Sequence, residues 1–229
     1  MATTGTYTFA PSLGDITLYA FNLCGVRPTA LTQEHMQSAV TAANLMQSEW
    51  SAKGVNLWKV ELVTVPLVQG TATYSVNPSV ITILDLYITV NSGSNPIDRY
   101  ILPVSRTEYA SFANKQQQGF PTTYWLDRLQ NPSVTFWQVP DGNEVSFSYY
   151  AVQQIEDAAF GNAVQPDIQY YFTKAYALGL GTELALIWAP EKYQLLKAEA
   201  MSAFNIAAEQ NVENNSVFFS PDTTGYWRV

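Results

Sequence analysis

Charge is scarce in this sequence. Asp, Glu, Lys and Arg make up 13% of its 229 residues, about half the roughly 25% usual in globular domains. The polar surface must come mainly from Gln, Asn, Ser and Thr. Charge is depleted and aromatics are enriched at interface cores, so a weakly charged chain with 14% aromatics suits a protein that partners cover. Basic residues are the rarer sign: 11 Lys and Arg against 19 Asp and Glu give a net charge of −8. Gripping nucleic acid by its phosphates takes clustered Lys and Arg. Those present are scattered, with no run of three. That excludes a firm grip on DNA but not the passage of DNA alongside.

Cys24 is the sole cysteine. It excludes an intrachain disulfide and a cysteine cluster around zinc, and it fits a reducing compartment. His35 is the sole histidine. The chain has no P-loop, dinucleotide fingerprint or nucleophile elbow, so His35 reads as a surface or cap-region residue rather than a member of a triad. Paired carboxylates can hydrolyse a glycoside without histidine. Glu156, Asp157, Asp127 and Glu144 are the candidates, and ordinary solvated acids are the simpler reading. No catalytic residue, cofactor or metal is expected. No apolar run approaches the ~20 residues of a membrane span. Met1 to Tyr7 lacks a basic region followed by an apolar core, so a soluble chain made in a cytoplasm is expected.

What is present is a change of period along the chain. Ser12-Leu-Gly-Asp15 reads as a capping box opening a short helix with Ile16, Tyr19, Ala20 and Leu23 on one side. Gly25 and Pro28 end it. Thr32 is an N-cap for a second helix, whose stripe of Met36, Ala39, Val40, Ala43, Met46 and Trp50 runs to Gly54. Short strands follow at Trp58–Val65, up to Val76, at Val80–Val90 and at Ile97–Pro103. A loop is expected at 91–96, and a second capping box at Ser105–Glu108 opens a short helix. Strands at Thr122–Asp127, Val134–Val139 and Glu144–Val152 complete the set. Pro140-Asp-Gly-Asn143 is expected to join the last two as a hairpin. Helical period returns from Pro166 to about Ala189, breaks at Pro190, and resumes from Glu191 to about Asn211. Gly179 and Gly181 predict close approach by another helix.

Helices, then strands, then helices argue an α+β fold. The expected architecture is a helical bundle from both ends of the chain, carrying an inserted antiparallel sandwich or barrel-like β domain. The divisions are 1–11 as an N-terminal extension, 12–56 and 164–212 as the two parts of the bundle, 57–155 as the β domain with a short helix near 105–112, and 213–229 as an extended C-terminal arm. Aromatics between Phe120 and Tyr150 are expected to be core. An open aromatic face would instead make a carbohydrate- or receptor-binding tail module.

Several stretches together resemble the head-to-tail adaptor proteins of short-tailed bacteriophages. Phe21-Asn-Leu-Cys-Gly-Val-Arg27 and Leu45-Met-Gln-Ser-Glu-Trp-Ser-Ala-Lys-Gly-Val-Asn-Leu-Trp58 look like that family's N-terminal helices. Its middle pattern is similar to Arg106-Thr-Glu-Tyr109, Lys115, Gly119-Phe-Pro-Thr-Thr-Tyr124 and Asp127. Trp137-Gln-Val-Pro140 lacks the first proline of the family's Trp-Pro-x-Pro. The resemblance spans roughly residues 12–212.

The resemblance implies a non-enzymatic ring subunit, usually one of twelve, at the head–tail junction of a virion assembled in the bacterial cytoplasm. Its partners would be copies of itself, the portal protein, the tail nozzle and tail fibre proteins. The genome would pass through the channel without specific binding, and an acidic lining would repel its phosphates within about 8 Å. Phe218, Phe219, Tyr226, Trp227 and Arg228 of the C-terminal arm are expected to meet the portal or a neighbouring subunit. That arm is expected to order only on assembly.

Overall fold

The computed structural model describes residues 4–6, 8–55, 57–92, 95–159 and 164–211. Helix α1, Leu13–Cys24, starts where its sequence cap predicts. The Ser12 hydroxyl accepts from the Asp15 amide at 3.1 Å, and the Asp15 carboxylate accepts from the Ser12 amide at 3.1 Å. Lys192 donates to the Leu23 carbonyl at 3.2 Å, which places a cation at the negative end of the helix dipole. Helix α2, Gln33–Lys53, has His35 in the third-position role more often played by Glu. Nδ1 of His35 accepts from the Thr32 amide at 3.3 Å. The ring stacks on Trp188 at 4.0 Å and meets Phe21 edge-on at 5.4 Å. The sole histidine is therefore a cap and a packing element.

The second helical stretch begins later than Pro166. The segment before Tyr170 is not helical, Tyr170–Phe172 form a 3-10 turn, and helix α4 runs Thr173–Trp188. Tertiary ties explain the delay. The Asp167 carbonyl accepts from the Trp58 indole at 3.2 Å, and its carboxylate holds Lys59 at 2.8 Å and accepts from the Glu156 amide at 3.1 Å. A residue held from three directions is not free to enter a helical turn. After a 3-10 turn at Pro190–Lys192, helix α5 runs Tyr193–Gln210. The order helix–break–helix thus matches the reading of Pro190.

Residues from α1, α2, the 3-10 turn before α4, α4 and α5 form one buried apolar cluster, with Phe21, Trp50, Phe172, Tyr176, Leu180 and Leu184 among its large members. Helix α4 is its hub. A Cβ on Gly179 would lie 2.5 Å from Sδ of Met46 on α2, and one on Gly181 would lie 3.2 Å from Leu23 on α1. These glycines let two helices approach α4, as the sequence predicts, at roughly 1 kcal/mol of helix propensity each.

The intervening segment forms two open, mostly antiparallel four-stranded sheets. The first has order β1-β8-β3-β4, from β1 Val60–Pro66, β3 Val80–Ser92, β4 Asn95–Tyr100 and β8 Glu144–Gln153. The second has order β2-β7-β6-β5, from β2 Thr73–Ser75, β5 Leu102–Pro103, β6 Thr123–Asp127 and β7 Ser133–Trp137. Neither closes into a barrel. Helix α3, Arg106–Ser111, lies between β5 and β6, with the Ser105 hydroxyl accepting from the Glu108 amide at 3.1 Å.

Three expectations change. Asn91 and Ser92 pair with Pro96 and Asn95, so most of the expected 91–96 loop continues the β3–β4 ladder. Ile97–Pro103 is not one strand: β4 lies in the first sheet and β5 in the second, with buried Ile101 at the switch. The turn after β7 is not a hairpin. Both edges of β7 are taken by β2 and β6, and both edges of β8 by β1 and β3. Pro140-Asp-Gly-Asn143 therefore carries the chain from one sheet to the other. A second apolar cluster draws on both sheets, including Leu86, Ile88, Tyr124, Val134, Phe136, Phe147 and Tyr149. Phe136 of β7 meets Phe147 of β8 at 5.0 Å, edge to face.

Candidate functional site

Among the described residues, two places concentrate aromatic side chains at or near the surface. The first is a clasp joining α3 to β6 and β7. Tyr109 stacks on Trp125 at 5.4 Å, and Phe112 stacks on Trp137 at 4.2 Å. The Trp137 indole donates to the Asn114 carbonyl at 3.0 Å. Lys115 donates to the carbonyls of Ala110 and Phe112, each at 3.0 Å, and so caps the carboxyl end of α3. Gly119 and Val139 are tied by a backbone bond of 2.9 Å, and Pro121 and Pro140 are buried beside them. The Tyr109, Lys115, Gly119, Pro121 and Tyr124 pattern is thus a framework motif. Its rings spend faces on one another, and Phe136, Phe147 and Tyr149 are buried. The core reading holds for Tyr124, Phe136, Phe147 and Tyr149, whereas Phe120, Trp125 and Trp137 are half-buried and Tyr150 is exposed.

Tyr124 is almost fully buried in this framework. Desolvation pushes its phenol up to about 12, with smaller contributions from Tyr100 and Asp85. Burial raises the phenols of Tyr176, Tyr149 and Tyr109 as well. A folded pKa above the unfolded value of about 10 gives stability that is complete below pH 10 and is lost as pH climbs through the folded value. Alkaline unfolding is therefore expected between about pH 10 and 12. Thermal melts of Tyr124→Phe should lose about 2 kcal/mol less than wild type across that window. Equal losses would mean Tyr124 ionises freely in the folded state.

The candidate acids for glycoside chemistry have separate surroundings. Glu156 and Asp167 share Lys59, at 3.2 and 2.8 Å. Burial alone would pull that ammonium's pKa down, but the two carboxylates outweigh it and the net direction is up. Asp157 is exposed. Glu144 is buried, and one of its oxygens accepts from the Gly142 amide at 3.2 Å. It sits opposite Val90 at one end of β3, whereas Arg128, next to Asp127, reaches Thr82 near the other end. Eight residues of strand, roughly 26 Å, separate those two positions on β3, so Glu144 and Asp127 are associated with opposite ends of that strand. Among the described residues, no group of three or more His, Cys, Asp or Glu could hold a metal ion. No described helix is long and apolar enough to cross a membrane.

The second place is a groove of about 810 Å³ on the helical part. The N-terminal segment supplies Phe9 and Pro11, α1 supplies Ile16 and Tyr19, and the entry to α4 supplies Tyr170, Tyr171 and Ala177. Sequence reading missed it. The available signal was the Tyr170-Tyr171 pair just ahead of α4, which the helical stripe only half accounts for. The arm residues Phe218, Phe219, Tyr226, Trp227 and Arg228 lie outside the described residues.

A chain that spends its β aromatics on a framework and keeps an open apolar groove on its helices has the make-up of a structural interaction protein. Comparison with known families agrees. The family model described as SU10 adaptor protein matches residues 13–220, and the chain belongs to that family, a family of phage head–tail adaptors. No curated protein matches it. The family is structural and implies a virion component that associates with other virion proteins.

Proposed function

We propose that this protein is a ring subunit, one of twelve, docked beneath the portal and joining it to the tail nozzle, with tail fibre proteins as further contacts and the genome leaving through the ring. The family match over 13–220 carries the reading. Surface composition supports it: Leu45 on α2, Leu186 and Ile187 on α4, and Leu195, Met201 and Ile206 on α5 are all exposed. A lateral ring contact of roughly 2,000 Å² or more is an apolar surface of this kind. In this reading the helices at 12–56 and 164–212 form a bundle, residues 57–155 form a sandwich-like insertion, and acids turned to the channel keep DNA sliding. Assembly would take place in the host cytoplasm.

The arm at 213–229 is the portal- or neighbour-binding element, through Phe218, Phe219, Tyr226, Trp227 and Arg228. Deleting residues 214–229 should leave a folded subunit, judged by circular dichroism, that no longer joins the portal. Electron micrographs of the purified protein mixed with portal give the decisive readout. A coaxial ring is expected with the full chain and none with the deletion. A ring that forms equally well without the arm overturns the arm's role, and the absence of any ring with the full chain overturns the whole reading.

A further inference from the structure

The groove on the helical part has the features of a receptor for an aromatic chain segment. Its volume of about 810 Å³ is in the range of sites that bury most of a bound ligand. Its rim holds exposed rings: Phe9 is 68% exposed, Tyr19 52% and Tyr170 72%. Lys174 also lines the groove and has no ion pair among the described residues.

The end of the described chain lies against this groove. Asn211, the residue after α5, accepts from the hydroxyl of the groove residue Tyr171 at 3.5 Å. The next residues of the sequence run Val212 to Val229 and include Phe218, Phe219, Tyr226 and Trp227. Phe218 is seven residues beyond Asn211, a reach of roughly 23 Å of extended chain. An apolar groove, an aromatic segment and a tether that starts at the groove wall make a self-contained match. Tethering also gives the segment an effective concentration on the order of millimolar.

We propose that the groove between the N-terminal segment, α1 and the entry to α4 holds the chain's own C-terminal segment, around Phe218 and Phe219, in the unassembled subunit. The groove shelters rings that would otherwise invite premature association, and assembly takes place when the portal or a neighbour competes the segment out. This revises the expectation that the arm takes up a position only on assembly. It holds whether or not the assembled form is a ring.

Disulfide trapping of the full-length protein tests the proposal. The pair Thr173→Cys and Ser220→Cys places one thiol on the groove wall and one beside Phe219. Cys24 can stay, because it is buried and desolvation pushes its thiol pKa up. Non-reducing gels should show a compact, internally closed monomer. It should form about tenfold faster than with Leu45→Cys and Ser220→Cys, whose first thiol lies on α2 outside the groove. Adding Tyr19→Lys and Tyr170→Lys, both at exposed positions that folding tolerates, should lower the closure rate about tenfold as a docked segment becomes a merely tethered one. Disulfide-linked dimers in place of closed monomers would assign the groove to a second copy and overturn the proposal. Closure at the control rate, or closure unchanged by the lysines, would overturn it equally.

Discussion

Phe172→Ala should cost about 4 kcal/mol of folding free energy. The ring is fully buried and lies 5.4 Å from Trp50, 5.0 Å from Trp58, 6.1 Å from Phe204 and 5.1 Å from Tyr171. It therefore touches α2, α5 and the turn leading into β1 at once. Removing it leaves a cavity between elements that other contacts fix, so collapse recovers little of the loss. Against a total stability of roughly 5–15 kcal/mol, the urea midpoint should fall by a large fraction. The neighbouring Tyr170→Ala, at an exposed position, should stay within about 0.5 kcal/mol. A Phe172→Ala cost near that of Tyr170→Ala would show that the helices are not held by a common core.

A second large loss is expected for Phe147→Ala, again about 4 kcal/mol. This ring on β8 meets Phe136 of β7 at 5.0 Å and Tyr74 of β2 at 5.2 Å, so it links one sheet to the other. The pair of variants also tests the proposed division of the chain. The two buried clusters share no residue. If each is its own cooperative unit, amide exchange in Phe147→Ala should speed up in β3 and β8 and stay near wild type in α2 and α4, with the reverse in Phe172→Ala. Uniform acceleration in both variants would mean a single unit and would remove the boundary near residues 57 and 155.

Features decided within a few residues were legible before any coordinates. Ser12 and Asp15 satisfy each other's amides locally, and Gly54 and Pro190 end helices for reasons that need no distant partner. Even the reading of Gly179 and Gly181 survives, because small side chains in a helix that tolerates them poorly imply a neighbour. Pairing choices were not legible. Asp141-Gly142 announces a turn, but only the occupied edges of β7 and β8 decide that the turn bridges two sheets. Ile97–Pro103 has strand composition throughout, yet Ile101 is where the chain leaves one sheet for the other. The late start of α4 depends on Trp58 and Lys59, more than a hundred residues away in sequence. The framework role of the Tyr109 to Tyr124 pattern was partly legible from its aromatics. The groove was not, because its walls come from the start of the chain and from residues 170–178.

The helical core draws on both ends of the polypeptide, and that has a consequence for how the protein is made. Helix α2 ends at Lys53, but its packing partner α4 begins only at Thr173. At a synthesis rate of roughly 5–20 residues per second, the ribosome needs about 6 to 24 seconds to supply the missing partner. Through that interval the stripe of Ala39, Ala43, Met46 and Trp50 has nothing to close against, while the strands between can already settle on one another. Helix α1, which also packs on α4 through Leu23 and Gly181, waits longer still, so nascent chains on one messenger can pair through either helix until α4 emerges.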